Sequence, residues 1–256
     1  MAHQVLNHVA GCQPPPVKSA WSLVCLALLG GIAFISAAPA SATGDANEID
    51  VYALDGGNFT LKDMGEFSDT GEYNGKRGAL ADPCFLIRHP KGTLLWDTGL
   101  GDKLAEKKNG LDDDGYHLSV PIPLAAQMKK IGLTPNDVTY VAFSHFHFDH
   151  TGNANLFGSS TWIINKAELK WALSKPTPGG VELKTLSAYT TVKTRMIEGD
   201  YDVFGDGNVR ILKAPGHTPG SQVLEIKLKD SGTIILSGDR SLSHPHQPHR
   251  SPRANL

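Results

Sequence analysis

Three histidines and an aspartate fall within six consecutive residues, in the stretch His145-Phe146-His147-Phe148-Asp149-His150. Imidazole nitrogens and carboxylate oxygens are ligands that zinc prefers in proteins. In an extended backbone, residues i and i+2 point to the same side, so His145 and His147 can share one metal ion. The chain then turns and brings Asp149 and His150 to a second position close by. A lone histidine is most often structural, but this density predicts a metal site.

Each candidate ligand follows an apolar, β-branched segment that predicts a strand. The cluster follows residues 138–143, His217 follows residues 209–214 through Gly216, and Asp239 follows residues 233–236 through Gly238. Taken alone, Gly216-His217 or Gly238-Asp239 would be an ordinary turn. Strand ends are the usual place for active-site residues in α/β folds, so we expect these ligands at one edge of a sheet.

The rest of the chain alternates predicted strands with helical patterns, which indicates a layered α/β architecture. Turn signals bound the predicted strands, which are residues 49–54, 84–88, 93–96, 138–143, 161–164, 192–197, 209–214, 223–228 and 233–236. Predicted helices cover residues 122–131 and 166–173. The polar residues 101–120 predict a loop or lid near the site.

With these motifs in view, the chain resembles the metallo-β-lactamase superfamily from about residue 49 to residue 239. The resemblance implies a four-layer αββα sandwich that holds two zinc ions. It implies one zinc on His145, His147 and His217, a second on Asp149 and His150, and a bridge between the two from Asp239. Asp97 matches a supporting aspartate of the family that orients ligands. A simple turn cap is an equal alternative for Asp97.

Several phrases are similar to the N-acyl homoserine lactonase family within that superfamily. They are LIRHPKG at 86–92, LWDTG at 95–99, FDHTGN at 148–153 and HTPG at 217–220. The resemblance implies opening of lactones by metal-activated hydroxide, with Asp149 accepting or shuttling the proton. A thioesterase, a β-lactamase or an arylesterase on the same fold is the alternative hydrolase.

The sequence departs from the family after Asp239. Family members continue with a strand, a helix and a last histidine of the second metal site, and lactonases carry a tyrosine just after this aspartate. This chain has Arg240 there and ends at Leu256. We therefore expect a fold incomplete at its C-terminus, an impaired second zinc site and an aberrant, disordered tail over residues 240–256. An inactive metal-binding remnant is the resulting alternative function.

Composition limits the remaining possibilities. The chain has 256 residues, 40% of them hydrophobic, and a formal net charge of −2, which suits one domain over residues 43–239. Without a basic stripe, a small-molecule substrate is expected and a nucleic-acid partner is not. The oligomeric state stays open.

The N-terminal segment has the features of an export signal. Residues 21–38 form an uncharged apolar run after Lys18, and Ala40-Ser41-Ala42 has the pattern of a cleavage site. Residues 1–42 therefore predict an export signal, a periplasmic or secreted protein, and contact with a membrane only during export. A permanent anchor is the alternative.

A cysteine and two phenylalanines in residues 43–239 could be mistaken for catalytic or substrate-binding residues. Cys84 lies in an apolar strand pattern, which predicts a packed and inert thiol. Phe146 and Phe148 are predicted to point away from the metal, as core residues first and acyl-chain contacts second.

Overall fold

The structure, a computed structural model, describes residues 48–67, 70–113 and 115–239. The predicted export signal, residues 1–42, and the predicted tail, residues 240–256, lie outside these described residues. Within them, no helix combines the length and the apolar character needed to cross a membrane.

Eight strands form the larger sheet. They are β1 (Asp50–Leu61), β2 (Gly78–His89), β3 (Gly92–Trp96), β4 (Leu111–Asp113), β5 (Tyr116–Ser119), β6 (Tyr140–Ala142), β7 (Thr161–Asn165) and β8 (Lys193–Ile197). Their spatial order is β4-β5-β1-β2-β3-β6-β7-β8. The pairs β3–β6, β6–β7 and β7–β8 are parallel, so these four strands end at the same edge of the sheet.

Four strands form the smaller sheet. They are β9 (Tyr201–Asp202), β10 (Val209–Lys213), β11 (Gln222–Leu228) and β12 (Gly232–Leu236), in the order β12-β11-β10-β9. Both β10 and β12 run antiparallel to β11, so they end at a common edge.

The larger sheet packs against helices on one face and against the smaller sheet on the other. The helices are α1 (Leu124–Lys130), α2 (Phe148–Thr151) and α3 (Lys166–Ala172). Side chains alternate along β2: Leu86 packs with Leu124 of α1, and Ile87 packs with Val209 of β10. The chain is an α/β sandwich, and three of the four expected layers lie within the described residues.

All nine predicted strands and both predicted helices are present, although their ends differ by several residues. The prediction of a loop over residues 101–120 was wrong in part. Strands β4 and β5 form a hairpin there, and β5 adds to β1 with Phe59 opposite Leu118. Polar composition concealed this hairpin because few of its side chains are buried. Strand β9 and the single turn α2 were also not predicted.

The two predictions about packed side chains have separate outcomes. Cys84 is a free, fully buried thiol, so its predicted packing is confirmed. Burial raises its pKa well above the ordinary value, and its inertness stays a prediction. Phe146 is buried in the core between the larger sheet and the helices. Phe148 is only partly buried, on α2, where its ring centroid lies 6.3 Å from that of Phe59.

Candidate metal centre

The edges of the two sheets bring all six predicted ligands together. The larger sheet contributes His145 and His147 from the segment after β6, and Asp149 and His150 from α2. The smaller sheet contributes His217 after β10 and Asp239 after β12. Two groups of donor atoms result, in each of which all atoms lie within 4.8 Å of one another. They are His145, His147, His217 and Asp239, and then Asp149, His150 and Asp239.

In the first group, three ring nitrogens face a common point. His147 Nδ1 lies 3.0 Å from both His145 Nε2 and His217 Nε2. Burial, with the neighbouring imidazoles, lowers the pKa of His145 well below its ordinary value and that of His147 to about 4, so both rings are neutral at neutral pH. Ligands about 2.0–2.1 Å from a tetrahedral zinc lie about 3.3 Å apart, so this donor set fits one ion.

The second group contains a buried nitrogen that lacks a hydrogen bond within the described part of the chain. His150 Nε2 forms no hydrogen bond with any described residue, although it lies 3.2 Å from Asp239 Oδ1 and 3.5 Å from Asp149 Oδ2. Buried polar atoms in native proteins are almost always satisfied, and an absent ion is one explanation for an exception. A cation held by this nitrogen and the two carboxylates would satisfy it. The donors present, Asp149, His150 and Asp239, therefore fit a second ion, and the impairment of this site by a missing histidine stays a prediction.

Asp239 faces both positions. Its Oδ1 points to His150 as described, while its Oδ2 lies 3.7 Å from His217 Nε2 and 3.9 Å from His145 Nε2. Gly238 permits this approach, because its φ is +57° and a Cβ there would lie 2.6 Å from Ser144 Cβ. One carboxylate oxygen per position is the arrangement that a bridging ligand needs.

Asp97 contacts the second group of donors through His150, on the ring nitrogen that faces away from the other donors. Its backbone adopts a φ of +60°, which is rare for a residue other than glycine and is typically found at functional sites. The buried carboxylate accepts the Ser144 backbone N–H at 2.7 Å and lies 3.1 Å from His150 Nδ1. Burial alone would lower the pKa of His150, but Asp149 and Asp97 overcome that effect and raise it. These contacts favour the supporting role of Asp97 over a simple turn cap.

Glu168 joins the two ligand-bearing loops and was not predicted. Its Oε1 accepts the backbone N–H of Phe146, between the first two histidines, at 2.9 Å. Its Oε2 accepts the Thr218 hydroxyl at 2.7 Å and the Gly220 N–H at 2.9 Å, beside His217. A buried glutamate on α3 thus ties the loop after β6 to the loop after β10. Its spacing four residues before the buried Ala172 is the one signal that could have placed it on the inner face of the helix.

His147 is held in place by close backbone contact with Gly180. The Gly180 carbonyl accepts the Phe148 N–H at 2.8 Å, and a Cβ on Gly180 would lie 2.6 Å from His147 Cδ2. The Gly180 φ of +78° is also one that other residues rarely adopt. The imidazole therefore occupies the space that any side chain at position 180 would need.

We expect Gly180→Ala to weaken zinc binding at the first position by about 10-fold, because the new methyl group displaces the His147 ring. Competition with a zinc-binding dye measures the affinity. Gly132→Ala is the matched control, since Gly132 has nearly the same φ, +76°, with nothing within 4 Å of its Cβ position. Equal zinc affinities in the two variants would contradict the contact argument.

Comparisons with known proteins agree with this fold. Residues 77–251 match the model of the metallo-beta-lactamase superfamily, and the match extends past Asp239. The chain therefore belongs to the metallo-beta-lactamase superfamily.

Two similar proteins are both N-acyl homoserine lactonases. The chain is 30% identical over 209 residues to the N-acyl homoserine lactonase AttM of Azorhizobium caulinodans, covering 78% of this chain and 79% of that protein. It is also 30% identical over 165 residues to the N-acyl homoserine lactonase AiiA of Bacillus thuringiensis subsp. kurstaki, covering 62% of this chain and 63% of that protein. These relatives are hydrolases, and this chain is a hydrolase of the same fold.

Solved structures give the same result. A quorum-quenching N-acyl homoserine lactone hydrolase superimposes with a TM-score of 0.62 and 26% identity, over 74% of this chain and 73% of that one. Another structure of such a hydrolase holds the product N-hexanoyl-L-homoserine at its catalytic metal center. It matches 74% of each chain with a TM-score of 0.61 and 25% identity.

Proposed function

We propose that this protein opens the ring of N-acyl homoserine lactones with two zinc ions. The observation that carries the proposal is the convergence of two donor groups that share Asp239. His145, His147 and His217 would hold one ion, and Asp149 and His150 the other. When bound, zinc supplies Lewis-acid chemistry, lowering the pKa of a water toward neutrality and stabilising negative charge on a carbonyl oxygen.

Asp149 is the proposed proton acceptor. Burial and the nearby Asp239 raise the pKa of Asp149, while His150 opposes the shift. A zinc ion beside Asp149 would counter this rise, because a nearby positive charge favours the ionised carboxylate, which is the form that accepts a proton. Its carboxylate can therefore take the proton that the attacking water loses and return it to the ring oxygen as the lactone opens.

An apolar surface beside the centre is suited to the acyl chain. Phe148 precedes Asp149 and packs with Phe59, whose ring centroid lies 6.1 Å from that of Tyr116. The Trp171 ring centroid lies 5.8 Å from that of His147. An amphiphilic substrate with an acyl chain fits these surroundings.

The test is an assay of the purified protein against a lactone, a β-lactam and a thioester, each with and without added zinc. We expect hydrolysis of N-hexanoyl homoserine lactone that a chelator abolishes and zinc restores. If the protein hydrolysed the β-lactam or the thioester faster than the lactone, the proposed substrate would be wrong. A protein that takes up no transition metal would overturn the metal centre itself.

We also propose that the protein acts outside the cytoplasm. The support is the apolar run at residues 21–38 followed by Ala40-Ser41-Ala42. Protein isolated from a periplasmic or culture fraction is expected to begin at Thr43. A mature protein that retains residues 21–38 would favour the membrane anchor instead.

A further inference from the structure

A buried carboxylate near the metal centre lacks a hydrogen-bond partner among the residues that the structure describes. Asp82, on β2, is 5% exposed, and neither of its carboxylate oxygens forms a hydrogen bond with any described residue. The other buried acids near the centre are satisfied: Asp97 accepts a backbone N–H, and Glu168 accepts three hydrogen bonds. An unsatisfied buried carboxylate destabilises a fold, so its presence calls for a compensating charge.

The strand geometry keeps Asp82 in the interior. Asp82, Cys84 and Leu86 are alternate residues of β2 and all three are buried, so they face inward on one side of the sheet. Opposite Asp82, the register of β1 shifts between Asp55 and Asn58. A Cβ on Gly56, within that irregularity, would lie 2.4 Å from the Asp82 carbonyl oxygen. The two backbones are therefore too close for Asp82 to move outward easily.

The charges that act on Asp82 belong to the metal centre. Burial raises its pKa well above the ordinary value, His150 lowers it, and Asp149, Asp97 and Asp239 raise it further. The backbone gives the same neighbourhood: a Cβ on Gly56 would lie 2.4 Å from the Asp82 carbonyl oxygen and 2.9 Å from Gly99 Cα, and Thr98, next to Gly99, donates its backbone N–H to the His150 carbonyl at 2.8 Å. Asp82 therefore lies near the ligands of the second position. Among the described residues, however, it is not one of the donors that converge there.

A pair of divalent cations would balance this group of carboxylates. The group contains the carboxyl groups of Asp82, Asp97, Asp149 and Asp239, together with His150, whose raised pKa makes it a cation that offsets part of their negative charge. Burial raises the pKa of Asp82 in the metal-free protein, and a divalent ion nearby would favour its ionised form. Without the ions, His150 is the group that favours the charged form of Asp82, and neither Asp82 oxygen accepts a hydrogen bond from a described residue.

We propose that Asp82 is an additional metal-site residue, which strengthens binding of the second zinc ion by its charge from outside the ligand set. This inference rests on the proposed function, because it requires that the centre bind two ions. Asp82 is then retained for metal binding at a cost to the stability of the metal-free fold. The two effects have opposite signs, which separates this role from a structural one.

The experiment compares the full-length protein with Asp82→Asn and with Asp82→Val, which also removes the polar atoms. Zinc affinity is measured at each position by dye competition, and thermal unfolding is followed after metal removal. We expect binding of the second zinc to weaken by about 10- to 100-fold, as for other groups that support metal ligands. We expect the metal-free variants to unfold at a higher temperature than the metal-free parent protein.

Asp206→Asn is the matched control. Asp206 pairs with His89 Nε2 at 2.9 Å and with Lys91 Nζ at 3.4 Å, away from the metal ligands. Its replacement should lower the unfolding temperature and leave zinc affinity unchanged.

Three outcomes distinguish the hypotheses. Asp82 variants that are less stable without metal and bind zinc normally, or that fail to fold, would overturn the inference and make Asp82 structural. Unchanged second-site affinity in a protein that binds two zinc ions would also overturn it, while the proposed function stands. A parent protein that binds no zinc would overturn the proposed function, and the inference with it.

Discussion

Replacing Asp239 with alanine is expected to remove or greatly weaken both zinc ions and to lower lactone hydrolysis about 1,000-fold, which corresponds to about 4 kcal/mol of transition-state stabilisation. The reason is that its two oxygens face different positions, Oδ1 toward His150 and Oδ2 toward His217 and His145. Zinc content per chain and the rate of ring opening are measured on the same preparations.

Asp230→Ala is the control for this prediction, since Asp230 is an exposed residue of the turn after β11. It should retain the zinc content and the activity of the parent protein. If Asp239→Ala still held two zinc ions per chain, Asp239 would not be the bridging ligand. If it lost only one ion, Asp239 would belong to a single position.

Replacing Glu168 with glutamine is expected to weaken zinc binding at the first position about 100-fold, the upper end for groups that support ligands. Glutamine has one acceptor oxygen and an NH2 group, whereas three donors point at Glu168. At least one loop loses its anchor, and the histidines that it carries move apart. The unfolding free energy should also fall by about 1–3 kcal/mol, because a buried donor loses its acceptor.

A purely structural role for Glu168 would give the stability loss alone. Ser160→Ala provides that comparison, because the buried Ser160 hydroxyl donates to the Val138 carbonyl at 2.7 Å, where β7 begins rather than where it ends. It should be destabilised and bind zinc normally. Normal zinc affinity in folded Glu168→Gln would exclude the positioning role.

Sequence patterns predicted the local part of this centre well. The six candidate ligands stand directly after apolar segments, and the parallel arrangement of β3, β6 and β7 places strand ends along one edge. A strand followed directly by a ligand residue can be predicted because it depends only on a few residues that are neighbours in the sequence. The hairpin of β4 and β5 was missed because its pairing with β1 depends on contacts between segments far apart in the chain.

The missed site residues have a common physical reason. Glu168 and Asp82 are charged residues that became buried, whereas charged side chains are usually exposed. Burial of Glu168 depends on three donors from two distant loops. Burial of Asp82 depends on the irregularity of β1 at Gly56, which places one backbone against another. No pattern within either segment encodes these neighbours.

The ligands come from both sheets, so metal binding affects the stability of the whole fold. The first position takes two histidines from the loop after β6 and one from the loop after β10, so an ion there would cross-link the two halves of the sandwich. A ligand that binds only the folded state adds about 2.7 kcal/mol of stability at 100 times its dissociation constant. Zinc supply would therefore regulate the lifetime of the folded enzyme as well as its turnover.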